Sequence, residues 1–223
     1  MSPNLTLALG THAYTPLDVV SGYAILANGG YRVEPWLIDK IEDVEGNIIF
    51  QYTPSVACTR CIEQEVKDND PASDDLIEDI LRIEDITASG SATPPLAEKV
   101  LDTRISYIVS SMLRDAIQRG TGRKARVLNR QDIAGKTGTT NGPRDAWFSG
   151  FNQNIVTTTW VGFDDYSLLG RREFGGTAAL PIWIDYMREA LKNETEEISM
   201  PDGVVRLRID KETGLRSDSD QRD

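Results

Sequence analysis

Three β-prone stretches follow one another at close spacing and constrain the fold more than any other feature: residues Asp132–Thr140, Ala146–Phe151 and Ile155–Phe163. The last of them, Ile-Val-Thr-Thr-Thr-Trp-Val-Gly-Phe, is rich in the β-branched and aromatic residues that suit a pleated, half-buried surface. Asn141-Gly142-Pro143 and Asn152-Gln153-Asn154 supply turn chemistry between them. Gaps this short join antiparallel neighbours. Helical patterns stand on both sides. Upstream, Ile105, Ile108, Val109, Met112, Leu113, Ala116 and Ile117 recur at helical spacing, with Asp102 or Thr103 as cap and Gly120 and Gly122 as stop. Downstream, Gly175-Gly176 precedes an amphipathic stretch from Leu180 to Leu191 with Pro181 in its first turn. The expected class is therefore α+β, an antiparallel sheet flanked by helices.

The front of the chain adds a further helix and a hairpin. Thr15-Pro16-Leu17-Asp18 combines a capping hydroxyl, a first-turn proline and an acid at the positive end of the helix dipole. Asn28-Gly29-Gly30 ends that helix. The runs Trp36–Ile38 and Ile48–Phe50, with Glu45-Gly46-Asn47 between them, predict a hairpin. Residues 55–99 change character. They are acidic and carry Pro71, Pro94 and Pro95, and only Leu76–Ile86 has loose helical periodicity. They read as an inserted excursion between a body formed by residues 1–54 and 100–192. A tail, 193–223, holds one possible strand at Val204–Ile209.

The chain of 223 residues has 24 basic and 35 acidic side chains and a net charge of −11. Such a balance repels nucleic acid, which is not an expected partner. Much of the acid lies between Glu63 and Glu98, so the charge describes the excursion more than the body. No apolar run approaches the ~18–20 residues needed to cross a bilayer, and no signal or transmembrane segment is expected in this chain. Cys58-Thr-Arg-Cys61 has CxxC spacing in a polar stretch, and His12 is the one histidine. A local disulfide or two idle thiols is the favoured reading over a metal or redox site. No metal or other cofactor is expected, and a Ser-His-Asp triad is disfavoured.

The segment that bears chemistry is Lys136-Thr137-Gly138-Thr139-Thr140. On a regular strand Lys136, Gly138 and Thr140 face one way, and Thr137 and Thr139 the other. Glycines flanking the lysine let another backbone or a ligand approach closely. A lysine beside hydroxyls and edge N–H groups suits a carboxylate, and the backbone suits a developing oxyanion. A bare KTG is a weak signal, and an edge strand with a solvated lysine is the plain alternative.

K-T-G is one of three marker motifs of penicillin-binding proteins and serine β-lactamases. Here it is followed by Asp145-Ala-Trp-Phe-Ser-Gly150 and Thr159-Trp-Val-Gly-Phe-Asp164. It is preceded by Met112-Leu-Arg-Asp115 and Gly120-Thr-Gly122. Gly175-Gly-Thr-Ala-Ala-Leu-Pro-Ile-Trp183 and Pro201-Asp-Gly-Val-Val205 lie beyond, and Leu7-Ala-Leu-Gly-Thr11 and Ala27-Asn-Gly-Gly30 near the start. Together these resemble the C-terminal part of the transpeptidase domain of class A, bifunctional penicillin-binding proteins of the 1A type, from about residue 4 to 215.

The resemblance implies part of a serine enzyme that cross-links peptidoglycan. A serine attacks the D-Ala-D-Ala bond of a stem peptide, D-Ala leaves, and an amine of another strand resolves the acyl-enzyme. β-Lactams acylate the same serine. Carried over, Lys136 supports the catalytic cluster and the substrate carboxylate. Thr137, Gly138, Thr139 and Thr140 form the substrate-binding strand, and the Thr139 N–H is an oxyanion donor. The implied setting is the periplasmic side of the bacterial inner membrane, within a longer anchored protein. The chain departs from the family in having no S-x-x-K, and Ser2-Pro3-Asn4 is not accepted as its S-x-N. The expected partner is therefore the missing N-terminal part of the domain, and the chain alone is expected to be inactive. The alternative is a non-catalytic binding or scaffold module of the cell envelope. For the remaining residues the plain readings stand. His12 is a local core or surface residue, and Trp147, Phe148, Trp160 and Phe163 are sheet core. Arg144 and Asp145 either rim the cleft or pair with each other.

Overall fold

The computed structural model describes residues 10, 12–57, 95–194, 198–210 and 212–216. Ser2–Asn4, the Cys58/Cys61 pair, the acidic run to Asp85 and the helix expected at 76–86 lie outside the described residues.

Helix α1 (Pro16–Ala27) starts where its sequence says it should. The Thr15 hydroxyl accepts the Asp18 N–H, and the Asp18 carboxylate accepts the Thr15 N–H and O–H, a reciprocal capping box. These hydrogen bonds hold the Asp18 carboxyl below its ordinary range. Thr15→Ala is expected to cost about 0.5–2 kcal/mol of local helix stability, read as faster amide exchange over residues 17–20. Unchanged exchange there would deny the cap its role. The helix ends at Asn28, whose side chain accepts the Tyr31 N–H. Gly30 follows at φ 110, and a Cβ there would lie 2.0 Å from the Leu101 carbonyl oxygen. That approach lets the Gly30 carbonyl receive the N–H groups of Val100 and Leu101.

Strand β1 (Tyr31–Arg32) pairs antiparallel with β4 (Glu98–Lys99). Val56 and Leu96 form a parallel bridge beside them. The chain thus leaves at residue 57 and returns at residue 95 from adjoining positions. Earlier in the chain, between β1 and Val56, a hairpin joins β2 (Lys40–Glu42) to β3 (Ile48–Gln51). The first strand is not the expected Trp36–Ile38. The Asp43 carboxylate collects the N–H groups of Glu45 and Asn47 and the Asn47 amide, closing a tight loop. That loop pairs the residues immediately flanking it, Lys40–Glu42. Trp36 instead packs on Tyr52 at 5.4 Å between ring centroids.

Helix α2 (Thr103–Gln118) is capped by Asp102, which accepts the Arg104 N–H. The Arg104 guanidinium on the same carboxylate holds it well below the usual range. The face this helix buries differs from the expected one. Ser106 and Ser110 are buried and donate to the Leu26 carbonyl at the end of α1, because small side chains let the two helices approach closely. Of the apolar stripe, Ile117 is fully buried, whereas Ile105, Ile108 and Met112 are 50%, 43% and 64% exposed.

The three expected strands form one antiparallel meander in the order β5 (Ala134–Thr139), β6 (Asp145–Phe151) and β7 (Val156–Gly162). The register pairs Thr137 with Phe148, Thr139 with Ala146 and Phe148 with Thr159. Both turns are closed by side chains. Thr140 Oγ1 accepts from the N–H groups of Arg144 and Asp145, and Asn152 Oδ1 accepts from those of Asn154 and Ile155. Helix α3 (Leu180–Ala190), entered through a π-helical turn at Gly175–Ala179, packs across the face bearing Phe148 and Gly150. Trp183 meets Phe148 edge-on at 4.9 Å, and a Cβ on Gly150 would lie 2.7 Å from the Trp183 ring. Tyr23 of α1 lies against Phe151, which points to the opposite face. The central strand β6 is therefore covered on both sides. The core holds Ile117, Ile133, Phe148, Leu180, Trp183 and Met187.

Of the four aromatics assigned to the sheet core, only Phe148 is fully buried. Trp160 is 39% and Phe163 53% exposed, because β7 is an outer strand among the described residues. Val204–Ile209 is not a strand. It finds no sheet edge, and only Ile209 bridges to Arg216 across a turn.

Candidate active site

Strand β5 is an outer strand of the meander among the described residues, and its sequence determines what the free edge presents. The Thr140 N–H donates inward to the Asp145 carbonyl. Strand alternation then turns the Thr139 and Thr137 backbone groups outward. Lys136 Nζ curls over this edge and donates to the Thr137 carbonyl at 3.1 Å, with Thr137 Oγ1 at 3.5 Å. Lys136 is exposed, while Thr137 is half-buried.

Thr137 and Thr139 share a face, as alternation predicts, and both line an open cleft of about 590 Å³. Its other wall comes from the segment after α2, through Thr121 and through Arg123 and Lys124 at the start of the 3-10 helix Arg123–Leu128, and the π-helical turn contributes Gly176. Thr121 Oγ1 and Thr137 Oγ1 are 2.7 Å apart. Thr139 Oγ1 accepts the Gly175 N–H at 3.0 Å. Among the described residues neither Arg123 nor Lys124 has an ion-pair partner within 4.0 Å.

Lys136, Gly138 and Thr140 do not line the cleft. Lys136 stands over the edge beside it. The Thr140 hydroxyl is engaged in the turn to β6. Gly138 is approached by protein: a Cβ on Gly175 would lie 2.5 Å from the Gly138 carbonyl oxygen and 2.3 Å from that of Trp147. Two glycines thus allow the π-helical turn to seat against the strand. Arg144 and Asp145 do not pair with each other. Arg144 donates to the Tyr166 carbonyl and stacks over the Tyr166 ring, while Asp145 accepts the Trp160 indole N–H at 2.9 Å. Sequence reasoning missed Thr121, Arg123, Lys124 and Gly176 as cleft residues. Gly120-Thr-Gly122 and Gly175-Gly176 were visible as motifs, but their proximity to β5 is a tertiary fact. No group of three or more potential metal ligands occurs among the described residues.

Residues 2–167 match the family described as penicillin binding protein transpeptidase domain, and the chain belongs to that family. It is 45% identical over 221 residues to penicillin-binding protein 1A of Pseudomonas aeruginosa, covering 95% of this chain and 27% of that protein. Against penicillin-binding protein 1A of Escherichia coli K12 it is 34% identical, covering 94% of this chain and 29% of the relative. The crystal structure of penicillin-binding protein 1A from Haemophilus influenzae superposes with a TM-score of 0.80 at 36% identity, over 97% of this chain and 32% of that one. The α+β fold is that of this transpeptidase family. The chain spans less than a third of the length of these relatives.

Proposed function

We propose that this chain is the KTG-bearing part of a peptidoglycan D,D-transpeptidase and that its cleft holds the C-terminal carboxylate of a stem peptide ending in D-Ala-D-Ala, or that of a β-lactam. The observation that carries this reading is that Thr137 and Thr139 line one cleft with Arg123 and Lys124, two cations that have no ion-pair partner within 4.0 Å among the described residues. An anion there meets O–H donors and positive charge together. The outward Thr139 N–H stands at the edge of the same strand, where a developing oxyanion is stabilised by a preorganised donor. Lys136 adds a cation above that edge.

Nothing in the chain supplies an S-x-x-K nucleophile. In this reading the acyl-transfer step needs a second part, bearing the serine and its lysine, within a longer protein anchored in the inner membrane and facing the periplasm. The exposed stripe Ile105, Ile108 and Met112 on α2 supports incompleteness, since such a face is ordinarily covered. No helix among the described residues is long and apolar enough to cross a membrane.

Incubating the chain with a fluorescent penicillin is the test. The expected result is no covalent adduct in an intact-mass spectrum, together with adduct formation once the S-x-x-K-bearing part is joined to it. A stable adduct on the chain alone would refute the division of labour. No adduct in the joined protein would refute the transpeptidase reading and favour a scaffold module.

A further inference from the structure

Each of the two KTG-strand threonines that line the cleft already has a fixed partner outside that strand. The Gly175 N–H can only donate, so Thr139 Oγ1 is an acceptor there and keeps its own proton. Thr137 Oγ1 faces Lys136 Nζ, another pure donor, at 3.5 Å, and the Thr121 hydroxyl at 2.7 Å. Among the described residues the Thr121 hydroxyl has no other hydrogen-bond partner, and it rotates to suit what binds. When a carboxylate enters, the lowest-energy arrangement has Thr121 donating to Thr137 and Thr137 donating to the anion. Thr137 and Thr139 then both present an O–H outward, each polarised by a donor behind it, which strengthens a bond to a charged acceptor.

We infer that Thr121 is a positioning residue that orients and polarises the Thr137 hydroxyl toward a substrate carboxylate. The inference rests on the carboxylate-binding reading above and names what tunes it. Three observations converge. The Thr121–Thr137 contact is short. The Gly175–Thr139 bond repeats the same device on the neighbouring threonine. Arg123 and Lys124, two and three residues beyond Thr121, line the same cleft and have no ion-pair partner within 4.0 Å among the described residues. The segment after α2 is thus the second wall of an anion site, and residue 121 determines how that wall reaches the KTG strand.

The test is an NMR-detected titration of the chain joined to the S-x-x-K-bearing part, with that serine replaced by alanine, using N-acetyl-D-alanyl-D-alanine and, separately, its uncharged C-terminal amide. Wild type is expected to prefer the acid, with the largest shifts at Thr137 and Thr139. Thr121→Val is expected to lower that preference about fivefold or more, because a hydrogen bond serving a charged group is lost, and to weaken the amide by much less. Thr121→Ser, which keeps the hydroxyl, is expected to restore it. A merely structural role would weaken both ligands alike and would not separate valine from serine. Thr121→Val with the wild-type preference, or Thr121→Ser failing to restore it, overturns the positioning role alone. A wild-type chain that does not distinguish acid from amide overturns the carboxylate reading and this inference with it.

Discussion

In the transpeptidase this chain is proposed to complete, Lys136→Ala is expected to slow β-lactam acylation by on the order of 10²- to 10³-fold, the loss typical of a preorganised electrostatic group. The geometry behind the figure is the placement of the Lys136 ammonium over the free edge of β5, at the Thr137 carbonyl and hydroxyl. The cation lies at Thr137, on the same free edge as the outward N–H of Thr139, beside the hydroxyls proposed to bind a carboxylate. Lys136→Met, which keeps the length and removes the charge, is expected to match alanine. Lys136→Arg is expected to retain more activity. Stopped-flow acylation with a chromogenic cephalosporin reads all three. Acylation unchanged in Lys136→Ala would remove the lysine from the site.

The second large effect is on stability. Asp132, just before β5, is buried, with a side chain only 2% exposed, and makes a two-bond ion pair to Arg130 at 2.9 and 2.7 Å. Its carboxylate also accepts from the Asn152 amide at the far end of β6. Arg130 reaches on to the Leu191 and Glu194 carbonyls beyond α3. One carboxylate therefore ties the start of β5, the second turn of the meander and the end of α3. Asp132→Ala removes the buried carboxylate that pairs with a mostly buried guanidinium and is expected to cost about 3–5 kcal/mol. Native-state hydrogen exchange of the β5 and β6 amides reads this locally, as loss of protection by on the order of hundreds to thousands of fold. The exposed pair Arg119–Asp115 is the control, since breaking it is expected to cost about 1 kcal/mol or less. Equal losses at the two pairs would show that burial does not distinguish them.

Elements governed by neighbouring residues were legible in the sequence. The cap of α1 at Thr15 and Asp18, the Asp102 cap of α2 and both turns of the meander use side chains within five residues of the groups they satisfy. Period-two alternation likewise separated Thr137 and Thr139 from Lys136. The hairpin was displaced because the Asp43 loop decided its register, an effect hidden in a turn read only as Glu45–Asn47. The buried face of α2 was misread because periodicity marks an apolar stripe and not what covers it. Ser106 and Ser110 are buried by the approach of Leu26, some eighty residues away in sequence.

The candidate site divides in the same way. The KTG strand and its alternation are properties of adjacent residues, the family resemblance rests on motifs spread along nearly the whole chain, and the chain by itself determined them. The cleft is not. Thr121 meets Thr137 across 16 positions and Gly175 meets Thr139 across 36, and each contact depends on how α2 and the π-helical turn pack against β5. Only the tertiary structure decided which hydroxyls are backed by donors and which cations share their space, because hydrogen bonds act over about 3 Å of space and are blind to distance along the chain.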